Sequence, residues 1–137
     1  MNDASNVGRL TDAVGRYFEL MYDSDTSHFD KVFCPTSQLH GFREGVMSVI
    51  PANSFRQMLA DRPSPKSLDA PRAEQILLMD FASETQAFVK VRVRINSIVF
   101  VDYLSYHRIE DRWLITAKAF HVESTGAHAP VGSAGDD

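Results

Sequence analysis

In the first half of the chain, apolar residues recur at helical spacing. In one segment they stand three or four residues apart, at Val7, Leu10, Val14, Phe18 and Met21. This stripe predicts an amphipathic helix that Ser5 or Asn6 caps. Gly15 lowers the stability of that helix by about 1 kcal/mol relative to alanine, which suggests close contact with another element. A short second helix is predicted over 26–33 and a third over 51–61.

Strand patterns dominate the remainder of the chain. A small hairpin is predicted over 37–43 and 45–50, with Glu44 and Gly45 at its turn. Four longer strands follow, over 73–81, 85–95, 98–109 and 112–122. The turns between the long strands are too short for a parallel crossover, so we expect these strands to be antiparallel neighbours. The predicted fold is therefore α+β, a curved antiparallel sheet wrapped by three helices.

Composition limits the class of protein. The 137 residues suffice for one domain, expected over 1–123, and the Gly, Ala, Ser and Pro of 124–137 predict a flexible tail. Hydrophobic residues make up 44% of the chain and the net charge is -4, so we expect a globular protein without the basic surface that nucleic acid requires. The single cysteine, Cys34, excludes an internal disulfide and indicates the cytoplasm. No apolar run approaches the roughly 20 residues of a membrane span, and no side chains have metal-site spacing, so we expect no membrane, metal or cofactor.

Several short motifs carry a resemblance. The segments Asp102-Tyr-Leu, Asp111-Arg-Trp-Leu-Ile and Lys118-Ala-Phe resemble the "D-Y-L", "G-x-W-x-I" and "K-x-F" of the putative lumazine-binding, SnoaL-like branch of the nuclear transport factor two (NTF2)-like superfamily, with Asp111 in place of the usual Gly. Phe33-Cys-Pro and Leu39-His-Gly are similar to its "F-H-P" and "L-x-G". The resemblance covers 5–122 and implies a cone with an internal pocket. The superfamily includes isomerases, dehydratases, cyclases and binding proteins.

Asp102 is the first candidate for a functional residue. Strand alternation places it with Phe100 and Leu104 on the apolar face of the sheet. A two-residue turn at Glu110 and Asp111 predicts that Asp102 lies opposite Ala119, which leaves space beside the carboxylate. A carboxylate on such a face must be paired, protonated or in contact with water or ligand. A structural carboxylate bonded to a helix end, a tyrosine or a histidine is an equally open interpretation.

Tyr17 is the second candidate. The segment Arg16-Tyr-Phe-Glu-Leu is similar to the "R-Y-x-E-L" of ketosteroid isomerases. The resemblance implies that Tyr17 donates a hydrogen bond to a developing enolate oxygen, assisted by an aspartate near position 102. It also places the proton-abstracting aspartate near Gly41, which has no base to offer, and the neighbouring His40 points to the opposite face. This departure argues against the same isomerisation.

The remaining candidates complete a pocket. His121, on the last strand, is a candidate base, which gives the catalytic set Tyr17, Asp102 and His121. The expected ligand-binding residues are Phe29, His40, Phe55, Phe100 and Leu104. Our leading hypothesis is a protein that binds a small apolar, aromatic or polycyclic molecule. The alternatives are an isomerase, cyclase or dehydratase using the same pocket, and a ligand-free dimerisation module whose pocket is filled by Phe29, Phe55 and Phe100.

The face of the sheet opposite the core is expected to carry an interface. Lys90, Arg92 and Arg94 form a basic stripe there, and we expect further residues on the same face: Tyr103, Ser105, His107, Thr116 and Lys118. Mixed aromatic and arginine composition is typical of interfaces, and the resemblance implies sheet-to-sheet pairing. We therefore expect a homodimer formed through the convex face, with a merely solvent-exposed face of the sheet as the alternative.

Overall fold

A computed structural model describes residues 3–125, with side chains from Ser5 onward. The elements in chain order are α1 (Asp3–Asp23), a 3-10 helix (Thr26–Lys31), β1 (Gln38–Arg43), β2 (Val46–Pro51), α2 (Ala52–Asp61), β3 (Glu74–Phe81), β4 (Gln86–Ile95), β5 (Ile98–Ile109) and β6 (Arg112–Ser124). The predicted α+β class, with three helices against one sheet, is confirmed. Most of the predicted tail, 126–137, lies outside the described residues.

The six strands form one sheet in the order β2-β1-β6-β5-β4-β3. Every pair of successive strands predicted to be antiparallel is antiparallel. Strand β1 pairs with β6 in parallel, however, with Leu39 opposite Lys118 and His40 opposite Ala119. The sheet is therefore mixed. Turn lengths did not reveal this pair because the two strands are far apart in sequence.

Tight turns fix the long hairpins. Asn96, Glu110 and Asp111 have backbone φ angles of 57°, 50° and 66°, as two-residue hairpin turns require. Asp111 occupies a position where the family pattern has glycine, and aspartate is among the few other residues that adopt this conformation readily. Its carboxylate also pairs with Arg9 of α1 at 2.8 Å. The turn between β5 and β6 is thus held against α1.

A β-bulge at Thr116 changes the register of the last hairpin. Tyr106 lies opposite Ile115, but the next pair is Ser105 and Ala117, so Thr116 is an extra residue in β6. The Thr116 hydroxyl contacts Nδ1 of His107 at 2.6 Å. Beyond the bulge, Asp102 lies opposite Phe120, not Ala119. The predicted register was wrong for this half of the hairpin, because simple alternation does not include an extra residue.

The helices cover the inner face of the sheet. Below α1, the rings of Phe29 and Phe33 stack with centroids 4.9 Å apart, and Phe55 of α2 meets Phe33 edge-on at 5.7 Å. No helix among the described residues is long and apolar enough to cross a membrane.

Two expectations about α1 were wrong. The helix begins before Ser5 and Asn6, so neither caps it. Asn6 instead turns its buried side chain to the sheet, where its Oδ1 accepts a hydrogen bond from Nε1 of Trp113 at 3.1 Å and its Nδ2 donates to the Glu84 carbonyl. A Cβ at Gly15 would meet nothing within 4 Å, so no close neighbour requires that glycine.

Candidate functional site

A buried hydrogen bond joins α1 to the centre of the sheet. The Tyr17 hydroxyl donates to Oδ2 of Asp102 over 2.5 Å, and the two residues are 0% and 1% exposed. Burial, together with the neighbouring Asp102 carboxylate, raises the pKa of the Tyr17 phenol well above its ordinary value. Tyr17 therefore stays protonated and acts as a fixed donor. The alternative interpretation of Asp102, a carboxylate bonded to a tyrosine, agrees with this contact.

Lys118 brings a cation to the same pair. Its Nζ lies 3.7 Å from Oδ2 of Asp102 and stands 5.1 Å from the Tyr17 ring centroid and 5.0 Å from that of Phe55. Burial lowers the pKa of the Lys118 amine, and the Asp102 carboxylate opposes part of that change. The other oxygen of Asp102, Oδ1, is buried and has no hydrogen-bond partner among the described residues.

The sequence prediction placed Lys118 on the wrong face. We expected it on the convex face, but the bulge at Thr116 turns it inward, opposite Leu104. The bulge has no clear pattern of its own in the sequence. The signal that was available is the "K-x-F" motif, since Lys118 and Phe120 both point to the interior once the extra residue is counted.

A small cavity opens above Lys118. Its volume is about 50 Å³, room for a few water molecules and well below the roughly 300–1,000 Å³ of most small-molecule sites. Three aromatic rings line it, at Phe55, Phe100 and Phe120. Arg43, Arg62 and Lys118 also line it, so the pocket is more cationic than the apolar one that we expected. Met58, at its edge, is 43% exposed.

Larger clefts, of about 230–440 Å³, lie on the described surface away from this chemistry, and the two largest of them lie beside α1. One, of about 440 Å³, runs beside α1 and the 3-10 helix and is lined by charges of both signs, including Arg16, Glu19 and Lys31. The other, of about 320 Å³, lies beside Asn6 and Glu84. The cavity above Lys118 is the better candidate site because it alone of the three adjoins the buried Tyr17, Asp102 and Lys118.

The residues predicted to contact a ligand fall into three groups. Phe55 and Phe100 line the cavity. Tyr17 and Asp102 lie beneath it, behind Lys118. Phe29 and Leu104 are buried in the hydrophobic core and do not line the cavity.

The two histidines of the predicted pocket point away from it. His121 lies opposite Val101 in β5, on the outer face, and is exposed. His40 lies opposite Ala119 and Val49, also on the outer face. The expectation that His121 faces the pocket was wrong. For His121 the cause is the bulge at Thr116, which reverses the face on which residues 117–122 lie relative to simple alternation. His40, expected among the ligand-binding residues, points away from the cavity as its position next to Gly41 indicated, so it does not line the cavity.

Gly41 has no room for a side chain. A Cβ built on it would clash with the Phe120 carbonyl oxygen and would lie 2.5 Å from Cδ1 and 2.6 Å from Cε1 of the Phe120 ring. The position where the isomerase resemblance puts a base is therefore occupied by an aromatic ring from β6. This agrees with the argument against the same isomerisation.

Of the cavity residues that were missed as site candidates, the charged and aromatic ones are Arg43, Arg62, Lys118 and Phe120. Arg62 follows the last residue of α2, and its backbone N–H donates to the Met58 carbonyl at 3.2 Å. Burial lowers the pKa of its guanidinium, and the charge of Arg43 lowers it further. The sequence shows Arg62 only as the first residue of a polar, proline-containing loop, which gave no reason to place it inside.

The fold defines an NTF2-like protein, an α+β cone of three helices and a six-stranded sheet. The pattern of the family described as putative lumazine-binding matches residues 5–121, and the chain belongs to that family. A comparison with curated proteins finds no match.

Solved structures support the same fold. An NTF2-like protein of unknown function from Silicibacter pomeroyi is 20% identical, with a TM-score of 0.81 over 90% of this chain and 100% of its own. One from Shewanella baltica is 15% identical, with a TM-score of 0.78 over 90% and 98%. A ketosteroid isomerase-like protein from Erwinia carotovora atroseptica is 11% identical, with a TM-score of 0.68 over 90% and 99%. At these identities the similarity concerns the fold alone.

Proposed function

We propose that this protein binds a small organic molecule in the cavity above Lys118. The observation that supports the proposal is that aromatic rings and the buried Lys118 amine line the same small cavity. Phe100 and Phe120 pack edge-on with centroids 6.2 Å apart and offer an apolar surface to the ligand body. Lys118 offers a polar contact, and Asp102 and Tyr17 hold it in place from behind.

The small volume implies that the mouth must widen. Met58 and Arg43 stand there, and both are exposed, long and unbranched, so they can move outward without disturbing the core. A single aromatic ring or a branched aliphatic group matches such an opening better than a polycyclic ligand. The ligand class expected from the sequence is therefore narrowed to small aromatic or branched molecules.

A thermal shift panel of small aromatic and branched aliphatic compounds tests the proposal. At least one compound is expected to raise the melting temperature in proportion to the logarithm of its concentration. Met58→Trp at the mouth should abolish that rise, whereas Gln57→Trp, on the neighbouring exposed position of α2, should leave it intact. No rise with any compound would contradict the proposal and favour the ligand-free dimerisation module.

An acid-base enzyme is the second candidate function, favoured by the buried Lys118 amine. An amine whose pKa is lowered by burial is a better proton acceptor near neutral pH than an exposed lysine. Tyr17 and Asp102 would set the orientation of that amine. Mass spectrometry of a bound compound after incubation tests this: conversion that Lys118→Met removes would support an enzyme, and a compound recovered unchanged would support binding alone.

We also propose that two copies pair through the outer face of the sheet. Large apolar side chains are exposed on that face at Phe42, Met47, Val49, Leu78 and Tyr103. Ala119, a small side chain, lies between His40 and Tyr103 on this face, so it would not obstruct a second sheet. Exposed large apolar side chains on one face are typical of an interaction site. A second copy of the chain, in the cytoplasm, is the occupant that we propose.

A further inference from the structure

The Arg62 side chain carries hydrogen-bond donors that nothing in the described part of the protein uses. Its Nε and Nη2 atoms are both buried and have no hydrogen-bond partner among the residues 3–125. Buried donors without partners destabilise a protein, more so when the group is charged. A pair of them on one guanidinium that lines a cavity therefore indicates a place for an acceptor.

The two unpaired atoms are the pair that binds a carboxylate side-on. Arg92, on the outer face of the same protein, shows this geometry: its Nε donates to Oε1 of Glu123 at 2.7 Å and its Nη2 donates to Oε2 at 3.1 Å. The planar guanidinium fork matches the two oxygens of a carboxylate. Arg62 has the same two donors, and no carboxylate of the described residues is bonded to them.

The positive charge around the cavity also favours a carboxylate as the bound group. Arg43, Arg62 and Lys118 line it, and the acidic side chain in contact with this set is Asp102, which pairs with Lys118 from below. The positive charge of Arg62 lowers the pKa of Lys118, and that of Arg43 lowers the pKa of Arg62. The three cations therefore repel one another. A bound anion would reduce this electrostatic repulsion.

We propose that the cavity recognises the carboxylate of a small aromatic or branched monocarboxylic acid, with Nε and Nη2 of Arg62 donating to its two oxygens. Lys118 adds a second positive charge, and the rings of Phe55, Phe100 and Phe120 contact the apolar part of the acid. This inference rests on the proposed binding function and names the chemical class of its ligand.

Matched acid and amide pairs test the inference by isothermal titration calorimetry. Benzoate is expected to bind at least ten times more tightly than benzamide, and 3-methylbutanoate at least ten times more tightly than its amide, because only the acids present two anionic oxygens to the fork. Arg62→Met should remove the preference. Arg56→Met, an exposed arginine on α2 that lies outside the cavity, should keep it.

The outcomes separate the inference from the function on which it rests. Equal binding of acids and amides, or a preference that survives Arg62→Met, would overturn the carboxylate site and leave small-molecule binding in place. Binding of neither kind of compound would overturn both. A second readout avoids dependence on the fold of the variant: in the wild type, benzoate should shift the Arg62 Nε–H resonance in a ¹⁵N spectrum, and an unmoved resonance at saturation would reject the site.

Discussion

Lys118 is a buried cation whose charge depends on a single neighbouring aspartate, Asp102. Its Nζ is at ion-pair distance from Asp102, but 3.7 Å is longer than a hydrogen bond. The Tyr17 and Phe55 rings supply further attraction. Since both partners are buried, the arrangement depends on the presence of both charges more than an exposed ion pair would.

Asp102→Asn should lower the free energy of unfolding by about 3 kcal/mol, because it leaves the buried Lys118 without its counter-charge. Urea denaturation at neutral pH measures the change. Adding Lys118→Met to this variant should restore much of the loss, since an apolar side chain needs no counter-charge. Asp80→Asn, exposed on β3, is the control and should change stability little. A loss no larger than that of the control would contradict the paired role of Asp102.

The lowered pKa of Lys118 predicts a dependence of stability on pH. Below the ordinary lysine value of 10.5, the unfolded chain binds the lysine proton more readily than the folded chain does. Folding stability from this group therefore rises with pH between the lowered folded pKa and 10.5, by up to about 1.4 kcal/mol per pH unit. Below the folded pKa the effect is constant.

Urea denaturation of the wild type and Lys118→Met over pH 7 to 10 checks this dependence. The difference in unfolding free energy, wild type minus variant, should increase as the pH rises. Lys31→Met, which removes an exposed lysine, should give a flat difference. A flat difference for Lys118→Met as well would mean that its folded pKa is not lowered.

At the scale of strands and helices, β1 and β6 approach each other closely at one glycine. Gly41 of β1 faces Phe120 of β6 with no room for a methyl group. Gly41→Ala should therefore lower the unfolding free energy by about 1–3 kcal/mol, as overpacking does. Gly15→Ala in α1, where nothing lies within 4 Å, should instead raise it by about 1 kcal/mol. Thermal or urea unfolding of both variants measures the two changes in stability. Changes of the same sign in both variants would contradict the close approach at Gly41.

The sequence predicted the elements better than their contacts. The bounds of β4 and β5 were predicted to within one residue, because alternation and turn residues are local signals. The parallel pairing of β1 with β6 and the bulge at Thr116 were not predicted, because they depend on contacts between distant segments. Tyr17 and Asp102 were found from alternation and resemblance. Lys118 and Arg62 were missed, since their burial follows from the bulge and from the end of α2.

At the scale of the whole molecule, each face of the sheet has its own proposed role, ligand binding on the inner face and pairing on the outer face. The inner face holds the cavity, and the outer face exposes the apolar residues proposed for pairing. The basic residues there are partly balanced, since Arg92 binds Glu123 and Lys90 stands 5.4 Å from the Tyr103 ring centroid. Charge on this face therefore does not prevent a second sheet from approaching.

Ala119→Arg should halve the molar mass in solution, because it places a long charged side chain in the middle of the proposed interface. Light scattering coupled to size exclusion measures the mass. Ala60→Arg, at an exposed position of α2, is the matched control and should keep the mass of a dimer. A monomeric wild type at concentrations up to about 100 times those of the binding experiments would reject the pairing.

The extra residue at Thr116 of β6 also makes chain length, and not only residue identity, a determinant of the side chains that face the proposed ligand. Removing Thr116 would shift the register of the following part of β6 by one residue. Lys118 and Phe120 would then face solvent, and the inner face would carry Ala117, Ala119 and His121. One codon lost or gained at that point would exchange an amine and a ring for an imidazole and two methyl groups. Relatives that differ in length there should bind different chemistry in an otherwise unchanged scaffold.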